Sequence, residues 1–193
     1  MAATVVVKEA NGGTPTWTQV ADVYFCTGDL CAPGPLNYPL SIPSSGFRYS
    51  YWKTLCLELS GTFSKVSNIQ FFTDGNVAFT LGSGGGMFVG TKDTGDSGLA
   101  IASYDQATGE EGVSGDAMDD AEDGHAVYKG AGYTVEDVED FTSAAALLID
   151  STEYTEAGKT KATVLQVKCD TAANGATQGL QNPETLWWKY DEI

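Results

Sequence analysis

Positive charge is scarce in this chain. Ten lysines and arginines, with Arg48 the only arginine, stand against 26 acids, and the formal net charge is -16. Such a surface repels phosphate backbones and anionic membranes, so neither nucleic acid nor a membrane is expected as a partner. Histidine is scarcer still, with His125 alone, and no C-x-x-C pair occurs among Cys26, Cys31, Cys56 and Cys169. A zinc site therefore lacks its usual ligand spacing. No run is long and apolar enough to span a bilayer, and the opening MAATVVVKEA lacks a basic segment followed by a long apolar core. The expectation is a protein made in a cytoplasm without a secretory signal.

What is present suits a folded domain. Hydrophobic residues make up 42% of the 193 positions and aromatics 11%, enough for one real core. The 23 glycines, with turn signals between short apolar runs, predict an all-β protein. The expected architecture is an antiparallel β-sandwich or jelly-roll-like barrel forming one domain over 1–193. A short strand is expected over 5–8, closed by Asn11-Gly12-Gly13, with one or two more over 17–25. Four of the six prolines, Pro33, Pro35, Pro39 and Pro43, fall in 31–45. They remove ladder donors and predict an extended arm lying over its own domain or a neighbour's. A longer strand is expected over 49–60. Asp74-Gly75 suits a tight hairpin between 68–73 and 77–81, with Val77, Phe79 and Leu81 facing inward.

From Gly82 the texture changes. Gly82 to Gly86 includes four glycines in five positions and reads as a hinge. Fourteen of the 26 acids lie from Asp93 to Asp140, with Lys129 the only base between them. Residues 91–141 are therefore expected as a long acidic, Gly-rich surface excursion, with short helical turns over 116–121 and 135–141. Strand patterns return at 161–169 and 185–190. Alternation puts Thr163, Leu165, Val167 and Cys169 on one face, and Leu186, Trp188 and Tyr190 on one face of the next strand. The last pattern runs to the final residues, which predicts a terminus tied into a sheet.

Motifs for chemistry fail in detail. The Gly-rich run has no Lys-Ser or Lys-Thr at P-loop spacing and no G-x-G-x-x-G. Asp119, Asp123 and Gly124 sit in register for a calcium loop, but Ala121 replaces an oxygen donor and Gly130 stands where glutamate is required. A looser site of carboxylates and carbonyls stays open there. His125 could join a serine in a hydrolase-like relay, yet no G-x-S-x-G elbow accompanies it. No catalytic, cofactor or metal residue is assigned, and an enzyme is not expected. Cys56 and Cys169 read as core residues, while Cys26 and Cys31 are close enough in sequence for a disulfide that cytosolic synthesis disfavours. Tyr49, Tyr51 and Trp52, with Trp187, Trp188 and Tyr190, could form a sugar-stacking platform or pack in core and interface. Trp187 and Trp188 must point opposite ways in a strand, so one needs cover from the long loop or another subunit.

Residues 60–75 (SGTFSKVSNIQFFTDG), 157–167 (AGKTKATVLQV) and 187–193 (WWKYDEI) resemble uncharacterised proteins of tailed viruses and proviruses of bacteria and archaea. The resemblance rests on general texture and carries no site residue. It implies a virion structural protein, a capsid decoration (cement) protein foremost, self-associating into a homo-oligomer and contacting the major capsid or another virion protein. A tail component and a carbohydrate-binding β-sandwich module are the alternatives.

Overall fold

The computed structural model describes residues 2–29, 37–179 and 181–193, and its regular structure is strand with three-residue 3-10 turns. Strand accounts for 39% of the chain, and no helix reaches seven residues among the described residues. The strands are β1 (Thr4–Asn11), β2 (Thr16–Gln19), β3 (Arg48–Tyr49), β4 (Lys53–Ser60), β5 (Val66–Phe72) and β6 (Gly86–Lys92). There follow β7 (Gly109–Glu110), β8 (Ser114–Gly115), β9 (Tyr133–Asp137), β10 (Leu147–Asp150), β11 (Gly158–Lys159), β12 (Thr163–Cys169) and β13 (Trp187–Glu192). Every strand pair is antiparallel. The larger sheet runs β2-β1-β4-β12-β3-β8-β7, with β11 on β4, β6 on β12 and β9 on β6; the smaller is β10-β5-β13. The all-β antiparallel expectation holds.

The first core fills the space between the two sheets. Leu55, Leu57 and Leu59 of β4, Met87 and Val89 of β6, and Leu165 and Val167 of β12 meet Val66, Ile69 and Phe71 of β5 and Ile149 of β10. The alternation predicted for β12 is seen here, since Leu165, Val167 and Cys169 belong to this core. Its opposite face is buried too. Val164 joins Tyr51, Trp52, Leu99, Met118 and Tyr128 in a second core on the far side of the larger sheet. A strand covered on both faces reads as a nearly continuous apolar run, as T-V-L-Q-V does. Gln166 is the polar exception and is fully used. Its Oε1 accepts from Met118 N–H at 2.8 Å, and its Nε2 donates to Ser50 O and Asp116 O at 2.8 and 2.7 Å.

That second core corrects the reading of 91–141 as a surface excursion. The segment supplies Leu99, Met118, Tyr128 and the buried His125, and β9 extends the sheet beside β6. Acidic side chains point outward while a few spaced apolar ones cover β12. The helical turn expected over 116–121 is absent, and within 135–141 only Val138–Asp140 makes a 3-10 turn, with Asp137 accepting from Glu139 N–H.

The hairpin expected at Asp74-Gly75 does not form. Both edges of β5 are taken, one by β10 and the other by β13, so 77–81 has no ladder to join. Its donors go to side chains instead: Val77 N–H to Glu139 Oε1, Ala78 N–H to Glu184 Oε2 and Thr80 N–H to Gln181 Oε1. Val77, Phe79 and Leu81 still pack on the first core, as their alternation predicts. The single strand expected over 49–60 breaks between β3 and β4, where Tyr51 and Trp52 turn into the second core. Of the strands expected over 17–25, only β2 is seen.

The Gly-rich run is a tight turn. Gly82 has φ 86°, Gly84 N–H donates to Asp170 Oδ2 at 3.1 Å, and a Cβ on Gly85 would lie 2.3 Å from Leu81 O. Of the Pro-rich arm, 31–36 lies outside the described residues. The remainder packs on its own domain: Leu40 and Ile42 touch the first core, and Tyr38 O accepts from Thr27 N–H at 2.9 Å.

One glycine marks where two layers touch. A Cβ at Gly90, on β6, would lie 2.1 Å from Cζ of the buried Tyr128 ring. Gly90→Ala is expected to lower stability by about 1–3 kcal/mol through overpacking, read from the urea midpoint. Gly158→Ala, with open space around the position, is expected to leave that midpoint unchanged or slightly raised.

Candidate functional site

Three distinct places bear on function; the first two hold side chains that sequence reasoning singled out, and the third does not. The first is the outer edge of the smaller sheet. In β13, Trp188 lies across from Phe71 and faces inward, its ring 5.3 Å from the Phe71 ring at 61°. Trp187 points the other way, as adjacent strand residues must. It is 37% exposed and stacks on Phe72 with centroids 5.7 Å apart and planes 11° from parallel. Lys189 Nζ lies 5.7 Å from the Phe72 centroid and donates to Ser143 O at 2.8 Å. Among the described residues β13 is hydrogen-bonded to a strand on one side only, that of β5. A row of backbone donors and acceptors therefore borders an exposed aromatic pair.

The six aromatics do not form one platform. Tyr51 and Trp52 are buried in the second core, with Tyr51 Oη donating to Gly109 O and Trp52 Nε1 donating to Asp105 O, both at 3.0 Å. Trp188 and Tyr190 pack on the first core. Tyr49, on β3, is half-buried, which leaves Trp187 as the one exposed ring of the six.

The second place is His125. It is fully buried, 5.5 Å from the Trp52 ring and 4.9 Å from the Tyr128 ring. Its Nδ1 accepts from Val127 N–H at 3.2 Å, so Nε2 carries the proton of the neutral ring. Burial drives its pKa down to about 4; Lys129 adds to that, and Asp105 opposes it. A neutral imidazole wedged between aromatic rings packs; it does not reach a substrate. Asp119, Asp123 and Gly124 lie in the turns before it. Asp120 Oδ1 accepts from Asp123 and Glu122 N–H at 3.0 and 2.8 Å, and those bonds hold its carboxyl below the usual range. No group of three ligating side chains suited to a metal occurs among the described residues.

The third is a groove of about 500 Å³ bordered by Lys92, Asp96, Tyr133, Ser151 and Lys161. Lys161 is committed to Asp96 and Asp150, whereas Lys92 Nζ lies 5.7 Å from the Tyr133 ring centroid. The Lys161 ammonium bonds Asp96 and lies 3.7 Å from Asp150 Oδ1. Asp96 Oδ2 also accepts from Ser151 N–H and Oγ–H at 3.1 Å each. Burial pushes the Asp96 carboxyl up, but Lys161 and Ser151 outweigh it and hold it low. The bond to Asp96 raises Lys161 in turn. Buried Asp150 accepts from Tyr154 Oη, Lys161 N–H and Thr152 N–H. The Lys161–Asp96–Asp150 cluster fastens β10 to the approach of β12.

The thiols are equally quiet. Cys26, Cys56 and Cys169 are buried, and burial pushes Cys56 up to about 12. The Cys26–Cys31 pairing falls outside the described residues, because Cys31 does.

Sequence reasoning missed a fourth group. Lys53 and Glu9 form an ion pair at 3.0 Å with each side chain 1% exposed, and Asn11 joins them through Glu9 Oε1. The signal was parity: Lys53 falls in step with Leu55, Leu57 and Leu59, and Glu9 with Val5 and Val7. Charged residues in an inward-facing register are a mark of a buried site.

These features define an antiparallel two-sheet β protein in which β13 is an edge strand among the described residues. No family model, curated protein or solved structure matches the chain.

Proposed function

We propose that the protein is a virion structural component, a capsid-associated decoration or cement protein that assembles through repeated contacts between its own copies and with the major capsid protein or another virion protein. The observation that carries this reading is β13, a six-residue strand bonded on one side among the described residues, with the Trp187–Phe72 stack beside it. An unpaired strand edge is a template for another chain, and a symmetric copy presenting the same edge satisfies it reciprocally. The net charge of -16 keeps such subunits soluble at high local concentration before they assemble. The place of action is then the virion, after synthesis in a host cytoplasm. No reaction is assigned.

Sedimentation and negative-stain electron microscopy of the purified chain, alone and with capsid lattices, test the reading. Oligomers or lattice-bound density are expected. A monodisperse monomer at high concentration with no affinity for a capsid or tail lattice sinks it; binding to tails alone moves the protein to a tail. Trp187→Ala is expected to weaken association about thirtyfold, the effect of losing an aromatic anchor worth about 2 kcal/mol, while leaving the circular dichroism spectrum unchanged.

One feature favours a second reading. An outward indole beside a phenyl ring is a surface on which a sugar ring can stack, as in a carbohydrate-binding module. Saturable quenching of tryptophan fluorescence by glycans, abolished in Trp187→Ala, distinguishes it.

A further inference from the structure

Three polar side chains meet on the inward face shared by β1 and β4. β1 and β4 run antiparallel, with Glu9 opposite Leu55 and Ala10 opposite Thr54. Asn11 and Lys53 therefore occupy facing positions one step further along. Facing side chains on adjacent strands have Cβ atoms about 4.5–5.5 Å apart, and Glu9, two residues from Asn11, shares their face. Glu9 Oε1 contacts both partners, Lys53 Nζ at 3.0 Å and Asn11 Nδ2 at 3.2 Å. Asp29 Oδ1 accepts from the same Asn11 amide nitrogen at 3.0 Å and so fixes the amide in place. Glu9 Oε2 and Asn11 Oδ1 are buried without a hydrogen-bond partner among the described residues.

A buried ammonium and carboxylate gain little from their attraction once desolvation is subtracted. Beside an amide they have a further outlet, because an amine is a nucleophile, the amide carbon is an electrophile, and a carboxyl can carry protons between them. We propose that Lys53 and Asn11 become joined by an intramolecular amide bond, with Glu9 carrying the protons. Lys53 Nζ passes one proton to Glu9, and its freed lone pair attacks Asn11 Cγ. The Glu9 proton moves to Nδ2, the Cγ–Nδ2 bond breaks, and the carbonyl reforms as ammonia leaves. A second proton from Nζ returns to Glu9. One C–N bond forms and one breaks, nothing is oxidised or reduced, and no co-reactant is consumed. The product is neutral at all three groups, which removes the buried ion pair.

Proximity is what the fold supplies. The attacking nitrogen Lys53 Nζ and the leaving nitrogen Asn11 Nδ2 are held by two paired strands within hydrogen-bond reach of the same Glu9 Oε1, so no intermolecular encounter is needed. The bond would close the chain between Asn11 and Lys53 and fasten the outer β1–β2 hairpin covalently to β4, an interior strand of the sheet. A cross-link of that kind restricts the unfolded chain. The inference stands on its own, whatever the protein assembles with.

Mass spectrometry of the denatured full-length protein tests it. The expected result is a mass lower than the sequence by one ammonia, allowing for removal of Met1, together with a branched peptide joining Asn11 to Lys53 after digestion. Glu9→Gln and Asn11→Ala are expected to restore the full mass, and Asn11→Asp to give the branched peptide with loss of water instead. Full mass with unbranched peptides in the wild type overturns the proposal. So does ammonia loss confined to a cyclised Asn11-Gly12 unit, or water loss joining Lys53 to Glu9. Circular dichroism confirms that the variants fold; if they do not, the wild-type mass and branched peptide decide alone.

Discussion

Phe71→Ala is expected to lower the free energy of unfolding by about 3–5 kcal/mol, the range for a phenylalanine removed from a packed interior. Phe71 is fully buried on the middle strand of the smaller sheet, opposite Leu147 of β10 and Trp188 of β13. It is also where the smaller sheet meets the larger across the first core. Deleting the ring leaves a cavity walled by β-strands on both sides, and strands held in register on two edges cannot close over it. The edge-on contact to Trp188 goes with it. Denaturant titration followed by tryptophan fluorescence reads both effects at once. The midpoint falls, and native emission shifts to the red as Trp188 gains water. Phe72→Ala is the internal comparison. Phe72 is half-buried on the opposite face and loses chiefly its stack on Trp187, so its cost is expected near about 1 kcal/mol. A cost for Phe72→Ala equal to that of Phe71→Ala would contradict the assignment of inner and outer faces in β5.

That contrast shows what the sequence makes legible. Period-two alternation sorts side chains between faces correctly in two strands: β12 presents Leu165 and Val167 to the first core, and β13 presents Trp188 while Trp187 stays outside. Alternation says which way a side chain points, and says nothing of which strand lies alongside. Asp74-Gly75 is a sound turn signal, and Gly75 does take φ 84°. The hairpin fails because β10 and β13, separated from β5 by long stretches of chain, take both its edges. The second core was hidden for a related reason. Met118, His125 and Tyr128 are too widely spaced to show a period, and the acids between them dominate the composition. Only the tertiary fold gathers them over Val164. Lys53 and Glu9 were hidden by their residue type: a lysine opening a strand reads as solvated until the register places it opposite the β1 interior face.

The second large effect belongs to His125 and appears as a pH dependence. Its pKa is pushed down to about 4 from the ordinary 6.5, chiefly by burial. Above pH 6.5 the ring is neutral in both folded and unfolded chains and contributes no slope. Between 6.5 and 4 the unfolded chain binds a proton that the folded chain refuses, so stability falls as pH falls. The loss over that window amounts to about 3 kcal/mol, a shift of roughly two and a half units at 1.36 kcal/mol each. Carboxyls held below their ordinary values, such as Asp96, Asp120 and Asp170, lose their contribution at lower pH, beneath this window. Asp137, raised by burial, acts with the opposite sign. His125→Gln separates the contributions: the slope of unfolding free energy against pH between 6.5 and 4 is expected to shrink by most of that amount, with the slope below pH 4 unchanged. An unaltered slope would mean that the imidazole accepts its proton in place. The geometry opposes that on two counts, because Nδ1 is already committed as the acceptor for Val127 N–H and the ring is enclosed by Trp52 and Tyr128. Protonation would remove an acceptor from a buried donor and lodge a charge among aromatic side chains, so acid should loosen the second core before the carboxyl networks of the first sheet titrate.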